Sequence, residues 1–235
     1  MSGGRGPVVL ATAHDTAVSW AVAEAAGRGL ALRVAGRDEL ARARTVRTLR
    51  LLAPGVPVSA VRLADPLGVD LPALTASAHV LVVDAPARAD VVAAAGCAVV
   101  AVPASATPPG RVVVGVTARD APAVLPRAVE EALARDAELV VVGTWTGRAP
   151  VPPTRRWADG AAAAHRELVE ATAGCRATHP DLRLRLFVVH DDAESVLTPL
   201  TAEAELLVVG GVRPPPNARC PVLVVPPAGE RTGVA

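Results

Sequence analysis

The chain has 235 residues, of which 51% are hydrophobic and 20% charged, with a mean hydropathy of +0.37. This length suits one large domain or two small ones, and the composition argues against disorder because it supplies a sizeable apolar core. The formal net charge is only +1 and the arginines are spread along the chain, which argues against a nucleic-acid binder.

The apolar runs of the sequence are of strand length, well short of the roughly 20 residues that a membrane span requires. The first residues, MSGGRGPVVL, lack the apolar core and cleavage site of a signal peptide. The cysteines Cys97, Cys175 and Cys220 are odd in number and far apart, without a Cys-x-x-Cys pair. These features predict a reduced, cytoplasmic protein that neither spans nor binds a membrane.

Strands and helices alternate through the first part of the chain, because short valine-rich runs bounded by turn residues are separated by Ala- and Arg-rich stretches. Asp15 is expected to cap the first helix. The predicted strands are Pro7–Thr12, Leu30–Ala35, Val58–Leu63, Val80–Val83 and Ala98–Val102. The predicted helices are Thr16–Ala26, Arg37–Leu52, Leu71–Ser77 and Ala87–Ala95. Residues 104–110 (ASATPPG) have the composition of a linker.

The same pattern begins again after the linker. Asp120 is the expected cap of a helix that runs to Arg135, and residues 146–154 form a Pro-rich loop. The other predicted helices are Ala158–Ala173 and Ala193–Ala204. The predicted strands are Arg111–Thr117, Glu138–Val142, Leu182–Val189, the run LLVVGG from Leu206, and Pro221–Val225.

Three segments of the first part recur in the second. They are residues 12–15 with 117–120, residues 75–83 with 201–209, and Cys97 with Cys220, each with its flanking valines. The number of residues between matching positions is larger for the second pair of segments than for the first. This difference places an insertion in the second copy at the Pro-rich loop and the long helix. We interpret the chain as two fused copies of one β–α unit, with parallel sheets and right-handed crossovers.

The stretch RVVVGVTARDAPAVLPRAVEEALARDAELVVVGTW from Arg111 resembles the opening of a universal stress protein domain, and TAEAELLVVGG followed by ARCPVLVVPP resembles its closing segment. The resemblance implies an α/β fold of two tandem flavodoxin-like domains, of the adenine nucleotide alpha hydrolase-like type. Each domain would contain a five-stranded parallel sheet of order 3-2-1-4-5 flanked by helices. The expected boundaries are a diverged domain at 7–103, a linker at 104–110, a second domain at 111–226 and a tail at 227–235.

ATP-binding members of this family carry an Asp at the end of strand one and a Gly-x-x-Gly after strand four, followed later by Gly-Ser or Gly-Thr. Thr12 and Thr117 stand at the Asp positions of the two copies. Gly210 matches the first glycine in the second copy, but Arg213 replaces the second, and Asp84 replaces the first glycine in the first copy. A carboxylate at a strand end repels phosphate. The resemblance therefore implies nucleotide sites that have degenerated in both copies.

The loop after Gly210 nevertheless suggests a candidate binding site in the second copy. Gly210 and Gly211 would let a ligand approach the backbone, while Arg119 and Arg213 beside Thr117 would donate to an anion in place of missing glycine amides. The alternative is that the glycines turn the chain and the arginines are solvated. Prolines 214–216 have no N–H to offer a phosphate.

Other candidate chemistry has a simpler structural explanation. His190, Asp191, Asp192 and Glu194 could ligate a metal, but Asp192 as a helix cap accounts for them and no metal site is expected. Cys97 and Cys220 are expected to be buried small hydrophobes. The sequence contains no G-x-S-x-G, HExxH or P-loop motif, so an enzyme on this scaffold is the least favoured interpretation.

The last strand of each copy, Ala98–Val102 and Pro221–Val225, is apolar on both faces and would aggregate if it lay unpaired at a sheet edge. The resemblance implies that these strands associate across an internal pseudo-dyad, so that the chain mimics a homodimer, and further homodimerisation stays open. The predicted function is a non-catalytic stress-response role through a protein partner or an unidentified small ligand, with no cofactor. The alternative is ATP binding through the altered loop of the second copy.

Overall fold

The computed structural model describes residues 6–63, 67–105, 110–117, 119–145, 155–211 and 214–226. The chain divides into two compact units. Unit 1 contains the first part of the chain to Ala106 together with Gly211–Pro216, and unit 2 contains Thr107–Gly210 and Asn217–Ala228. The domain limits predicted from the sequence stay a prediction.

Unit 1 is a five-stranded sheet with four helices. Its strands are β1 (Val8–Leu10), β2 (Leu32–Gly36), β3 (Val58–Arg62), β4 (Val80–Asp84) and β5 (Ala98–Val102). Its helices are α1 (Asp15–Arg28), α2 (Glu39–Leu52), α3 (Leu67–Thr75) and α4 (Ala89–Ala94). The strand order is β3-β2-β1-β4-β5, and every pairing is parallel.

Unit 2 repeats this order with one helix fewer among the described residues. Its strands are β6 (Arg111–Val116), β7 (Glu138–Trp145), β8 (Leu184–His190), β9 (Leu206–Gly210) and β10 (Val222–Val225). Its helices are α5 (Ala121–Ala134), α6 (Arg155–Thr178) and α7 (Ala193–Leu200). The strand order is β8-β7-β6-β9-β10, again entirely parallel. The predicted fold class, with the strand order 3-2-1-4-5 in each unit, is confirmed.

The central strands form the core of each unit. The side chains of β1 are completely buried, and so are Leu206, Leu207 and Val208 of β9. Strands buried on both faces carry continuous valine and leucine runs rather than an alternating pattern, which is why these elements were visible in the sequence. Across the described residues, no helix is long and apolar enough to cross a membrane.

Several element ends differ from the predictions. Asp15 does not cap α1: it is the first helical residue, and its neighbour His14 holds the cap position without a side-chain bond. Asp15 acts instead as a negative charge in the first turn, which the helix dipole favours. Helix α7 ends at Leu200 rather than at 204, because the N–H groups of Thr201 and Ala202 donate three residues back and tighten the last turn.

Candidate functional site

The carboxyl ends of the first and fourth strands of an open α/β sheet mark the place where a ligand is expected to bind. We call this place the strand mouth of each unit. In unit 1 it lies between β1 and β4, which are neighbours in the sheet. The hydroxyl of Thr12 donates to Asp84 Oδ1 over 2.6 Å, and the backbone N–H of His14 donates to Thr12 Oγ1. A carboxylate therefore lies at the strand mouth of unit 1, hydrogen-bonded to Thr12.

The strand mouth of unit 2 lies between β6 and β9 and also contains a carboxylate. Asp120 Oδ1 accepts from the backbone N–H of Thr117 over 2.6 Å and from its hydroxyl over 3.0 Å. The prediction that Asp120 caps α5 through its side chain is wrong: it occupies the cap position but makes no side-chain cap bond. The carboxylate turns back to the strand end, where two donors of Thr117 converge on one oxygen.

The position of the Asp120 carboxylate explains why a glycine stands at position 210. A Cβ added to Gly210 would lie 2.9 Å from Asp120 Oδ2 and 3.0 Å from a methyl carbon of Val124. A glycine is therefore needed where β9 ends, because the start of α5 approaches it closely. This role requires no bound phosphate.

The other predicted site residues are not assembled into one described site. Arg119 is exposed in the turn before α5. Gly211 has a φ of +102°, a conformation that favours glycine, and it belongs to unit 1. Arg213 lies outside the described residues. The anion site formed by Thr117, Arg119, Gly210, Gly211 and Arg213 stays a prediction.

A cavity of about 210 Å³ lies beside the strand mouth of unit 2, and we call it the mouth cavity. It forms where Gly143 of β7 lets Leu168 of α6 approach: a Cβ on Gly143 would lie 3.3 Å from Leu168 Cδ2. Its polar lining is Thr117, Thr144 and Glu167. Its apolar lining is Val116, Ala121, Gly143, Ala164, Leu168, Ala171 and Val188. Sequence reasoning missed this cavity because its walls come from four separate segments.

Asp192 caps α7, as predicted. Its Oδ1 accepts from the backbone N–H of Ser195 over 2.9 Å, and its Oδ2 accepts from the Ser195 hydroxyl over 2.5 Å. These bonds hold the pKa of the Asp192 carboxyl below its usual value. Both carboxylate oxygens of Asp192, one of the candidate metal ligands, therefore accept hydrogen bonds at the start of the helix.

Cys97 and Cys220 are buried, as predicted. Cys97 is 9% exposed and Cys220 is fully buried. Burial raises the pKa of the Cys220 thiol to about 12, and burial also raises the pKa of the Cys175 thiol. A thiol with a raised pKa is a poor nucleophile at neutral pH because the thiolate is the reactive form.

Each unit also contains a buried carboxylate that the sequence analysis missed. Glu24 of α1 accepts from Arg28 Nε over 2.5 Å, and His79 Nε2 lies 2.9 Å from the same oxygen. Glu131 of α5 is fully buried and pairs with Arg135 and, over 2.7 Å, with Arg127. The i, i+4 spacing of Glu and Arg in both helices was the available signal.

No protein-family model matches the chain, and no curated protein matches it. Among solved structures, a universal stress protein from Archaeoglobus fulgidus DSM 4304 aligns over 94% of this chain and 96% of its own, at 11% identity and a TM-score of 0.59. This likeness confirms the universal stress protein fold and, at so low an identity, shows the fold alone.

Two further solved structures align with about half of the chain. A universal stress protein from Archaeoglobus fulgidus in complex with dAMP covers 49% of this chain and 97% of its own, at 21% identity and a TM-score of 0.37. A member of the family from Burkholderia pseudomallei covers 51% and 97%, at 23% identity and a TM-score of 0.39. TM-scores this low carry no argument about this chain.

Proposed function

We propose that the protein is a non-catalytic, universal stress protein-like component of a cytoplasmic stress response. It acts by binding a small ligand or a protein partner, and its ATP sites are degenerate in both units. The observation that carries the proposal is the carboxylate at each strand mouth, Asp84 in unit 1 and Asp120 in unit 2, hydrogen-bonded to the threonine at the end of the first strand.

These carboxylates oppose a nucleotide in two ways. A bound phosphate needs free N–H or hydroxyl donors, and the donors of Thr117 and the hydroxyl of Thr12 already point to carboxylate oxygens. A phosphate charge about 4 Å from Asp84, which stands where ATP-binding members carry the first glycine of the phosphate loop, is also repelled by about 4 kcal/mol at an effective dielectric constant of about 20. The chain contains no lysine that could offset this repulsion as a point charge.

The absence of catalysis is supported by the lining of the mouth cavity. Among its described lining residues, Glu167 is the one titratable side chain. A general acid–base mechanism needs a positioned base with a nucleophile or a second acid within reach. Glu167 has no such companion in the lining of this cavity.

The alternative function is adenine-nucleotide binding in unit 2, and the mouth cavity is the observation that favours it. The cavity adjoins Thr117 at the carboxyl ends of β6 and β7. Its volume of about 210 Å³ is below the roughly 300–1,000 Å³ of most small-molecule sites. It would hold a group the size of a base and leave the phosphates to the loop after Gly210.

The two functions are separated by the small molecules that accompany the purified protein. The protein is heated, and the released molecules are examined by mass spectrometry for adenine nucleotides. The proposal expects none, whereas a nucleotide at one equivalent per chain would establish the alternative.

The association of Ala98–Val102 with Pro221–Val225 stays a prediction. Cutting the chain in the linker at 104–110 tests it. The prediction expects the two fragments to re-associate or aggregate, and two soluble monomeric fragments would contradict it.

A further inference from the structure

A second cavity lies on the opposite face of the unit 2 sheet, beneath α7, and we call it the α7 pocket. Its volume is about 230 Å³. Strands β6, β7 and β8 supply Val113, Val140, Val142 and Phe187, and α7 supplies Val196 and Leu200. The pairing register places Val113 beside Val140 and Val142 beside Phe187, so the apolar side chains share one face of the sheet.

The pocket exists because α7 is short and lies close to β6. Leu197 of α7 is 4% exposed, and a Cβ on Gly115 would lie 2.5 Å from its Cδ1, so the helix is seated directly over this glycine. Helix α7 does not cover β8 completely, and Phe187 of β8 is 48% exposed. Phe187 is the sole phenylalanine of a chain without tyrosine. The exposed part of this ring, together with the cavity, leaves apolar surface open to a ligand.

One end of the α7 pocket is lined by a cation and an anion. Arg111 Nη1 lies 3.5 Å from Glu203 Oε2, and the side chains are 43% and 76% exposed. An exposed pair at this distance is weak and opens readily. A guanidinium recognises a carboxylate through two parallel hydrogen bonds, and a carboxylate recognises an ammonium.

The same face of unit 1 lacks this arrangement. The N–H of His79 donates to the Pro7 carbonyl as the N–H of Glu205 donates to the Arg111 carbonyl, so Pro7 is the counterpart of Arg111. By the strand registers and the sequence repeat, the other counterparts of pocket residues are Ser77 for Glu203, Arg33 for Val140 and Asp70 for Val196. At these four positions the described residues of unit 1 differ in size or charge, so the side chains that line the α7 pocket do not follow from the fold.

We infer that the α7 pocket binds a free α-amino acid with a branched apolar side chain, such as leucine. Its carboxylate pairs with Arg111, its ammonium pairs with Glu203, and its side chain lies among the valines and Phe187. A fatty acid would be repelled by Glu203 and an alkylamine by Arg111, so a zwitterion fits where either ion alone does not. This inference concerns a site apart from both strand mouths, so the presence or absence of bound nucleotide does not bear on it.

Titration calorimetry on the full chain tests the inference with L-leucine, isocaproate and isoamylamine, the last two lacking the ammonium and the carboxylate respectively. We expect leucine to bind at least about tenfold more tightly than either analogue, because each loses one charge-assisted contact. Leucine that does not bind at millimolar concentration, or isocaproate that binds equally well, would overturn the inference.

Substitutions in the α7 pocket test whether leucine binds there. Arg111→Gln and Glu203→Gln alter exposed side chains and should each weaken leucine binding about tenfold. Phe187→Ala should weaken it to a similar degree, and Val140→Arg, which installs the unit 1 residue, should abolish it. The matched control is Val61→Ala, at the unit 1 counterpart of Phe187, which should leave the affinity unchanged. Unchanged affinity in the folded Phe187→Ala and Arg111→Gln proteins would place the ligand elsewhere and overturn the inference.

Discussion

In unit 1 the carboxylate at the strand mouth comes from the end of β4, whereas in unit 2 it comes from the residue before α5. Asp84 and Asp120 are not counterparts in the repeat, yet each accepts from the threonine that follows the first strand of its unit. The threonine hydroxyl is thus bound by a carboxylate from a different element in each unit. The two units therefore share their buried strands and differ in the residues at the strand ends.

Removing the buried carboxylates of Glu131 and Glu24 should cause the largest loss of stability. Glu131→Ala removes the buried carboxylate that pairs with Arg127 and Arg135 and should lower the free energy of unfolding by about 3–5 kcal/mol, although Arg135 keeps a contact with Glu205 at 3.5 Å. Glu24→Ala should act in the same direction through Arg28 and His79. Urea denaturation of both variants measures this. A loss below about 1 kcal/mol in either would show that this feature is not shared by the two units.

Replacing the glycines on the two faces of the unit 2 sheet by alanine should have an intermediate effect on the free energy of unfolding. Gly115→Ala places a methyl group 2.5 Å from Leu197 Cδ1 and should lower the free energy of unfolding by about 1–3 kcal/mol, because the buried Leu197 side chain or α7 itself must shift. Gly143→Ala meets Leu168 at 3.3 Å and serves as the matched control, with a smaller expected loss. Thermal melts compare them. Equal losses would mean that α7 is not seated on Gly115 more tightly than α6 is on Gly143.

Replacing the aspartates at the starts of α1 and α7 should have a smaller effect on the Tm, and for α7 this effect should depend on pH. Asp192→Ala should lower the Tm more than Asp15→Ala, because only Asp192 accepts a cap hydrogen bond. The pKa of Asp192 is lowered in the folded state, so its contribution is present above the unfolded pKa. The contribution is lost as the pH falls through the folded pKa, and the Tm difference between wild type and Asp192→Ala should shrink below about pH 4. A difference that grows on acidification would contradict the cap.

The thiols give the smallest effect, a difference in reaction rate without a change in stability. Cys220 has a pKa of about 12 and no exposed surface, so iodoacetamide at about pH 8 should leave it unmodified. Cys175 is partly exposed and should react first, though slowly, because its pKa is also raised. Mass spectrometry of peptides from the native protein reports the order. Modification of Cys220 as fast as Cys175 would show that the β10 region opens readily.

The strands were predictable from sequence because fully buried parallel strands leave uninterrupted apolar runs. The orientation of a carboxylate was not predictable. Asp120 and Asp192 both precede helices, yet one turns back to Thr117 and the other caps its helix. The choice depends on whether a strand end offers donors nearby. The α7 pocket was likewise hidden, because its walls become neighbours only through the strand register.

The central claim is that the carboxylates Asp84 and Asp120 close both strand mouths to nucleotides, and an ATP titration followed by calorimetry tests it most directly. The wild-type protein should give no binding heat, whereas the Asp84→Asn and Asp120→Asn double variant should give a measurable heat with ATP, since two repulsive charges are removed. Binding of ATP to the wild-type chain at one or two equivalents with micromolar affinity would contradict the account.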